Sequence, residues 1–264
     1  MRFEGPLQRM STVYHQPVKY ALELGDDLLF LNGLIGRKMR MEFLGKHTCF
    51  CGEEVDEVFQ QNFCKPCFFS KPQASPTIFQ PELSRAHEGI EERDLAWEQA
   101  FQLQPHLVYL AKTNKIKVGV TRHNQMPTRW MDQGADEAAV LLEVPNRYLA
   151  GQAEVFFKDY FDDKTSWRAM LKGETTSESL EDHWNRAAEL LPAEFKDYLV
   201  PQFQPWQLRY PLETPPTAVK SLGFRSQTEW EGTLLGIKGQ YLLLDCGAFN
   251  VRSHSGYQVR LELL

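Results

Sequence analysis

An α+β fold is what this sequence predicts, on three observations. Segments that alternate apolar and polar residues, the pattern of half-buried strands, gather at both ends of the chain. In the middle, two β-branched and aromatic runs flank a short polar turn and lead into a helix. Beyond them, apolar residues recur at helical spacing in two separate stripes.

Taken in order, residues 1–45 read as a β segment: Val18-Lys-Tyr-Ala-Leu-Glu-Leu24 alternates, and so does Lys38-Met-Arg-Met-Glu-Phe43. Residues 46–70 hold four cysteines. Residues 71–104 read as a linker and an acidic helical stretch, Ile90 to Gln99, with Ser70 to Gln80 as a Pro-rich joint. Residues 105–200 form the α+β centre. There Val108-Tyr-Leu-Ala111 and Ile116 to Thr121 are the strand runs, and Lys112-Thr-Asn-Lys115 supplies the turn. Leu149, Ala153, Phe156, Tyr160 and Phe161 make one helical stripe; Leu180, Trp184, Ala187 and Leu191 make the other. Pro201 to Pro216 is a second joint, and residues 201–264 end in the alternating Tyr257-Gln-Val-Arg-Leu-Glu-Leu263.

The two terminal β segments resemble each other. Gly25-Asp-Asp-Leu-Leu-Phe30 leads to Arg40-Met-Glu-Phe-Leu44, as Gly239-Gln-Tyr-Leu-Leu-Leu244 leads to Arg260-Leu-Glu-Leu-Leu264. The expectation is that residues 201–264 pack with residues 1–45 in one barrel-like module. Chance similarity between alternating strands explains the likeness equally well.

Composition narrows the class. With 264 residues, 42% of them apolar and 12% aromatic, the chain can bury one large or two modest cores and is not disordered as a whole. No apolar run reaches the roughly 18 to 20 residues of a membrane helix. Met1 to Arg9 carries no apolar stretch of the secretory kind. The expectation is a cytoplasmic protein with no membrane partner. A net charge of −6 argues against an indiscriminate DNA coat, which depends on many phosphate contacts, but leaves room for a focused nucleic-acid site.

Four of the five cysteines are clustered. Cys49-Phe-Cys51-Gly52 is followed, with twelve residues between Cys51 and Cys64, by Cys64-Lys-Pro-Cys67. Two thiol pairs at this distance form the ligand set of a closed, four-coordinate structural zinc site. The C-x-C spacing is tighter than the usual C-x-x-C knuckle. Buried reduced thiols or disulfides are the alternatives, and disulfides do not suit a cytosolic chain. His47 is a spare ligand beside a complete set, and Cys246, in the apolar run Tyr241-Leu-Leu-Leu-Asp-Cys246, reads as a core residue.

Charge marks a second site. From Ala111 to Arg129 there are five Lys or Arg residues and no Asp or Glu, a basic island in an acidic chain. Phosphate is the commonest ligand of such an island, although lysines guarding the edges of a solvated hairpin give the same pattern. Gly119 inside the second strand run implies that something approaches closely there. The turn decides which residues share a sheet face. A three-residue turn at Thr113-Asn-Lys115 pairs Tyr109 with Gly119 and Lys117 with Ala111, so that Tyr109 and Lys117 point one way. A two- or four-residue turn sends Lys117 to the other face. The first register is the expectation, with the space over Gly119 open to a phosphate.

The order of these residues resembles the GIY-YIG endonuclease superfamily over about residues 105 to 165. Val108-Tyr109-Leu110 stands at Gly-Ile-Tyr, and Lys117-Val-Gly-Val-Thr121 at Tyr-Ile-Gly-x-Ser/Thr, with Lys117 replacing the second tyrosine. Arg129 matches the superfamily arginine, and Glu154, in Gly151-Gln-Ala-Glu-Val-Phe-Phe157, its metal-binding glutamate. The resemblance implies a small antiparallel sheet with flanking helices, to which this chain adds the terminal β module and a zinc knuckle. It also implies hydrolysis of a phosphodiester. Tyr109 would activate water, Glu154 would hold Mg²⁺ or Mn²⁺, and Arg129 would brace the phosphate, with Lys117 beside them and Lys112, Lys115 and Arg122 drawing the phosphate in.

A longer resemblance covers nearly the whole chain. Pro105-His-Leu-Val-Tyr-Leu-Ala111, Lys117-Val-Gly-Val-Thr-Arg122 and Pro127-Thr-Arg-Trp-Met-Asp-Gln-Gly-Ala135 are similar to the bacterial family DUF2797, whose function is unknown. Leu31-Asn32, Ile35-Gly36, Asp163-Lys-Thr-Ser-Trp167 and Gly236-Ile-Lys-Gly-Gln-Tyr-Leu242 fit it too. The pattern implied by this resemblance has a second cysteine group before the Val-Tyr-Leu-Ala motif. Here no cysteine lies between Cys67 and Tyr109, and His87 and His106 alone do not make a metal site. The sequence therefore leaves three readings: a metal-dependent nuclease, a zinc-bearing DNA- or RNA-binding module that cuts nothing, and a protein-interaction scaffold using Trp206 and Trp230 as exposed aromatics.

Overall fold

The computed structural model describes residues 1–161 and 165–264, so Asp163 and Lys164 of the Asp163–Trp167 string lie outside the described residues. The chain divides into two compact units. The first comprises Met1–Phe68, Met131–Gly134 and Leu208–Leu264; the second comprises Phe69–Trp130 and Ala135–Gln207.

In the first unit the two ends of the chain meet in one sheet. Arg2–Pro6 pairs antiparallel with Tyr257–Leu263, which pairs with Lys38–Thr48, which in turn pairs with Glu229–Lys238. The sheet continues through Tyr241–Leu244 and Gly247–Asn250 to Ser221–Leu222, while Glu54–Val55 pairs on Lys38–Thr48. Alternation explains the placement: Met39, Met41, Val259 and Leu261 are buried, while Arg40 between the methionines turns outward to Glu231 and Glu262. A smaller sheet of Ser11–Val13, Lys19–Leu24 and Asp27–Phe30 buries Tyr20, Leu22 and Leu24. Trp230, expected as an exposed aromatic, is buried instead. It sits opposite Met41 across the strand pair and packs on Phe249 at 5.1 Å.

The second unit is built on a four-stranded sheet in the order Trp206–Gln207, Glu137–Val144, His106–Lys112, Ile116–Arg122. The central hairpin has the three-residue turn: Tyr109 pairs with Gly119 and Ala111 with Lys117. Strand alternation then gives the sheet two different faces. Val108, Leu110, Val118 and Ile116 point into a core made with helix Arg147–Lys158 and helix Leu180–Leu190, through Ala150, Ala153, Phe157, Leu180, Trp184 and Ala187. Tyr109 points to the other face, where its ring meets Trp130 edge-on at 5.7 Å and Trp130 meets Trp206 at 6.0 Å. Asn146 and Ser179 cap the two helices, accepting from the N–H groups of Leu149 and Asp182. Helix Arg147–Lys158 stops before Tyr160, so Tyr160 is exposed and Phe157 takes its expected place in the core.

The acidic stretch folds differently from its sequence pattern. The helix runs Leu95–Gln102, capped by Asp94, rather than Ile90 to Gln99. Glu98 explains the late start. It is buried, and its carboxylate accepts from the backbone N–H groups of Glu92 (3.0 Å), Arg93 (2.8 Å) and Asp94 (3.2 Å), bending the chain back on the first turn. The preceding segment is a series of short 3-10 turns, of which Pro81–Leu83 lies directly against helix Arg147–Lys158. Gly151 permits that approach: a Cβ there would stand 2.2 Å from the Glu82 nitrogen.

Candidate functional site

The four clustered cysteines come together. One ligand atom from each of Cys49, Cys51, Cys64 and Cys67 lies within 4.8 Å of the others, the geometry a tetrahedral thiolate site needs. The tight C-x-C spacing is resolved by Gly52, whose positive φ of 93° lets its N–H turn back to the Cys49 carbonyl at 2.8 Å. On the other arm, the Cys64 N–H donates to the Cys49 sulfur at 3.1 Å, and Cys67 sits in the short helix Lys65–Ser70. Burial opposes ionisation of Cys49, but the N–H groups of Cys51 and Cys64 and their thiols overcome it and bring it down to about 7. The neighbouring Cys64 thiol, burial and the Cys49 charge push Cys67 up to about 12. A divalent cation at the centre would favour the thiolate form of all four. The donor set fits zinc. His47 is not in the cluster: its Nδ1 lies 3.1 Å from the Asp56 carbonyl and its ring packs on Tyr257.

A second polar site lies in the other unit, at one end of its sheet. His106 opens its strand, directly opposite Arg122 on one side and Val144 on the other, and Arg147 follows a few residues after Val144. The Arg122 and Arg147 guanidinium groups both lie over the Phe101 ring, 4.7 and 5.4 Å from its centre, and Phe101 stacks on Trp97 at 4.6 Å. Arg147 is buried, and its Nε and Nη2 donate to the carbonyls of Thr77 (3.0 Å) and Ile78 (2.6 Å). No carboxylate forms an ion pair with it among the described residues. Burial brings the Arg147 pKa down to about 10, with Glu154 opposing and Arg122 and Arg129 adding repulsion. The group remains charged at neutral pH. Burial likewise pushes the Glu154 carboxyl above its ordinary range, against the attraction of Lys158 at 3.6 Å. His106 is driven down to about 4, by burial first and by the two arginines, while its Nδ1 donates to the Gln104 carbonyl at 2.7 Å.

The sequence expected Tyr109, Lys117, Arg129 and Glu154 to converge on one solvent-accessible concavity, and they do not. Tyr109 and Lys117 do share a face, as the register requires, but both are buried there. Glu154 belongs to the helix covering the opposite face. Nor is the space over Gly119 open: the Tyr109 ring fills it, so the close approach that Gly119 signalled comes from Tyr109 itself. Arg129 is half-buried, in the field of Arg147. The three expected phosphate ligands are also separated. Lys112, bonded to the Glu178 carbonyl at 2.7 Å, and the exposed Lys115 stand at the hairpin turn, whereas Arg122 is at the far end of the hairpin. Sequence reasoning missed Arg147 and Phe101. The signal was faint: an arginine just inside a helix start, after the cap Asn146, and an aromatic four residues from Trp97.

A mixed α+β protein with a four-cysteine cluster able to hold zinc is the class that fold and site define. The chain belongs to the family DUF2797, described as a protein of unknown function, whose sequence pattern matches residues 36–259. No curated protein and no solved structure matches the chain. No helix among the described residues is long and apolar enough to cross a membrane.

Proposed function

We propose that this protein is a zinc-stapled module that binds single-stranded DNA or RNA without cutting it. The observation that carries the reading is the pair of arginines, Arg122 and Arg147, set over the stacked Trp97–Phe101 rings, with Arg129 in the same field. Single-strand binding combines guanidinium groups for the backbone with aromatic faces for the bases, and this end of the sheet supplies both. Glu82 and Glu154 offset only part of that charge. The resemblance of residues 105 to 165 to GIY-YIG endonucleases supports nucleic acid as the ligand class. Hydrolysis is the weaker reading, because its water activator, Tyr109, is buried on the sheet face away from the Glu154 helix. A Zn²⁺ held by Cys49, Cys51, Cys64 and Cys67 would serve folding, since four thiolates leave no open coordination position.

The test is a binding and cleavage assay on single- and double-stranded DNA and RNA, with and without Mg²⁺ or Mn²⁺. Binding to single strands without cleavage is expected, and Arg122→Ala and Arg129→Ala should each weaken it and lower the salt dependence by about one charge. Cleavage that disappears in Glu154→Gln would restore the nuclease reading. Neither binding nor cleavage would favour the protein scaffold.

A further inference from the structure

The sheet end that carries Arg122 also carries a cavity of about 310 Å³ on the Tyr109 face. Its position follows from the register. Leu107, next to His106, pairs with Glu143, and both line the cavity. His123, next to Arg122, closes one side with Met126. The far wall is the segment that runs back along strand Glu137–Val144, where Leu199 bridges to Leu142 and Trp206 pairs with Ala138. Between those two anchor points the exposed Gln202 and Gln204 line the cavity.

The lining has a definite chemistry. Leu107, Met126 and Trp206 give apolar and aromatic walls that suit a flat ring. The polar groups are Glu143, with His123 Nε2 3.9 Å from its Oε1, and the two glutamine amides. The volume suits one base with its sugar, at the small end of the range for ligand pockets. A carboxylate accepts hydrogen bonds and gives none, so it selects a base edge carrying N–H donors. Guanine alone presents two adjacent donors, N1–H and the N2 amino group, to one carboxylate. Uracil offers a single N–H between two carbonyl oxygens, which a carboxylate repels.

We infer that this cavity takes one unstacked nucleobase of a bound single strand, and that Glu143 selects guanine. The inference rests on the nucleic-acid reading above and adds a base-specific pocket to it. Consecutive residues connect the two features: Arg122 reaches the Phe101 side, where the backbone phosphates would lie, and His123 reaches the cavity. A strand crossing this end of the sheet can therefore place a phosphate on Arg122 and insert one base on the other side, the usual division between positioning and specifying contacts.

The experiment measures fluorescence anisotropy of labelled uridine decamers, ribo and deoxy, with either uracil or a single guanine at the centre. Wild type should bind the guanine decamer about tenfold more tightly, the worth of one or two charge-assisted hydrogen bonds. Glu143→Gln should abolish that preference, bringing the two decamers to equal affinity. Glu143 is half-exposed, so the variant is not expected to disturb folding, and circular dichroism checks this. Equal affinity of wild type for both decamers overturns the pocket and leaves the binding-module reading standing. Binding of neither decamer overturns the reading, and titration of guanosine 5′-monophosphate against uridine 5′-monophosphate then decides the pocket alone: a guanosine preference lost in Glu143→Gln upholds it, and no preference removes it.

Discussion

The Tyr109 ring lies across its cross-strand partner Gly119: a Cβ built on Gly119 would stand 2.7 Å from the tyrosine oxygen and 2.8 Å from Cζ. Both residues are buried, and the ring also meets Trp130 edge-on. Gly119→Ala should therefore cost about 1 to 3 kcal/mol, the usual penalty for overpacking. Chemical denaturation of the single variant and of Gly119→Ala combined with Tyr109→Leu measures the coupling. The second substitution should remove most of the cost of the first, and strict additivity would show that the contact is not the cause.

One zinc per chain is expected from elemental analysis of protein purified without chelator, because four sulfurs lie within 4.8 Å of one another. Binding energy at such a site is part of folding energy, so Cys64→Ser should lose the metal and several kcal/mol of stability. Co²⁺ exchange should yield thiolate charge-transfer bands of a tetrahedral four-sulfur site. Metal-free protein with unchanged stability would remove the centre.

Glu98 lies in the segment between Cys67 and the Val-Tyr-Leu-Ala motif, where the family resemblance implies a second cysteine group, and it organises the loop with a carboxylate. Its three N–H bonds, to Glu92, Arg93 and Asp94, are buried and charge-assisted. Glu98→Ala should cost roughly 2 to 4 kcal/mol, and Glu98→Gln less, because an amide oxygen still accepts. Hydrogen exchange at those three amides should accelerate before the rest of the unit opens. Unchanged protection in Glu98→Ala would contradict this role.

His106 couples this sheet end to pH. Its pKa falls from an ordinary 6.5 to about 4 on folding, mainly through burial. A depressed histidine favours the folded state above its unfolded value, and that contribution is lost as pH drops from about 6.5 to about 4. The full contribution is on the order of 3 kcal/mol. Wild type should therefore lose more stability over this interval than His106→Gln, by denaturant midpoints at pH 7 and pH 4. Equal losses would place the titration elsewhere.

Much of the architecture was legible in the chain. Period-two alternation marked Lys38–Phe43 and Tyr257–Leu263, and those strands do pair side by side, because alternating side chains leave each strand one apolar face to bury. Residue types and spacing marked the cysteine cluster, since two thiol pairs about a dozen residues apart match the ligand pattern of a structural zinc site. The sequence admitted two hairpin registers, and the structure adopts the one with the three-residue turn, which pairs Tyr109 with Gly119.

What the sequence could not decide is which face a helix covers and which distant residues meet. Glu154 lies at the border of its apolar stripe, compatible with either face of the sheet; the packing of Ala150, Ala153 and Phe157 onto Val108 and Leu110 placed it opposite Tyr109. Arg147 and Phe101 are 46 positions apart in numbering, and nothing local pairs them. They meet because Gly151 lets the Pro81–Leu83 turn close on the helix, bringing the carbonyls of Thr77 and Ile78 within reach of the guanidinium. Short-range periodicity thus marked the strands, and residue spacing the thiol cluster, whereas the folded structure decided the hairpin register and close packing between distant segments decided which charges share a site. A contact that depends on the fit of two surfaces has no signature in either segment alone.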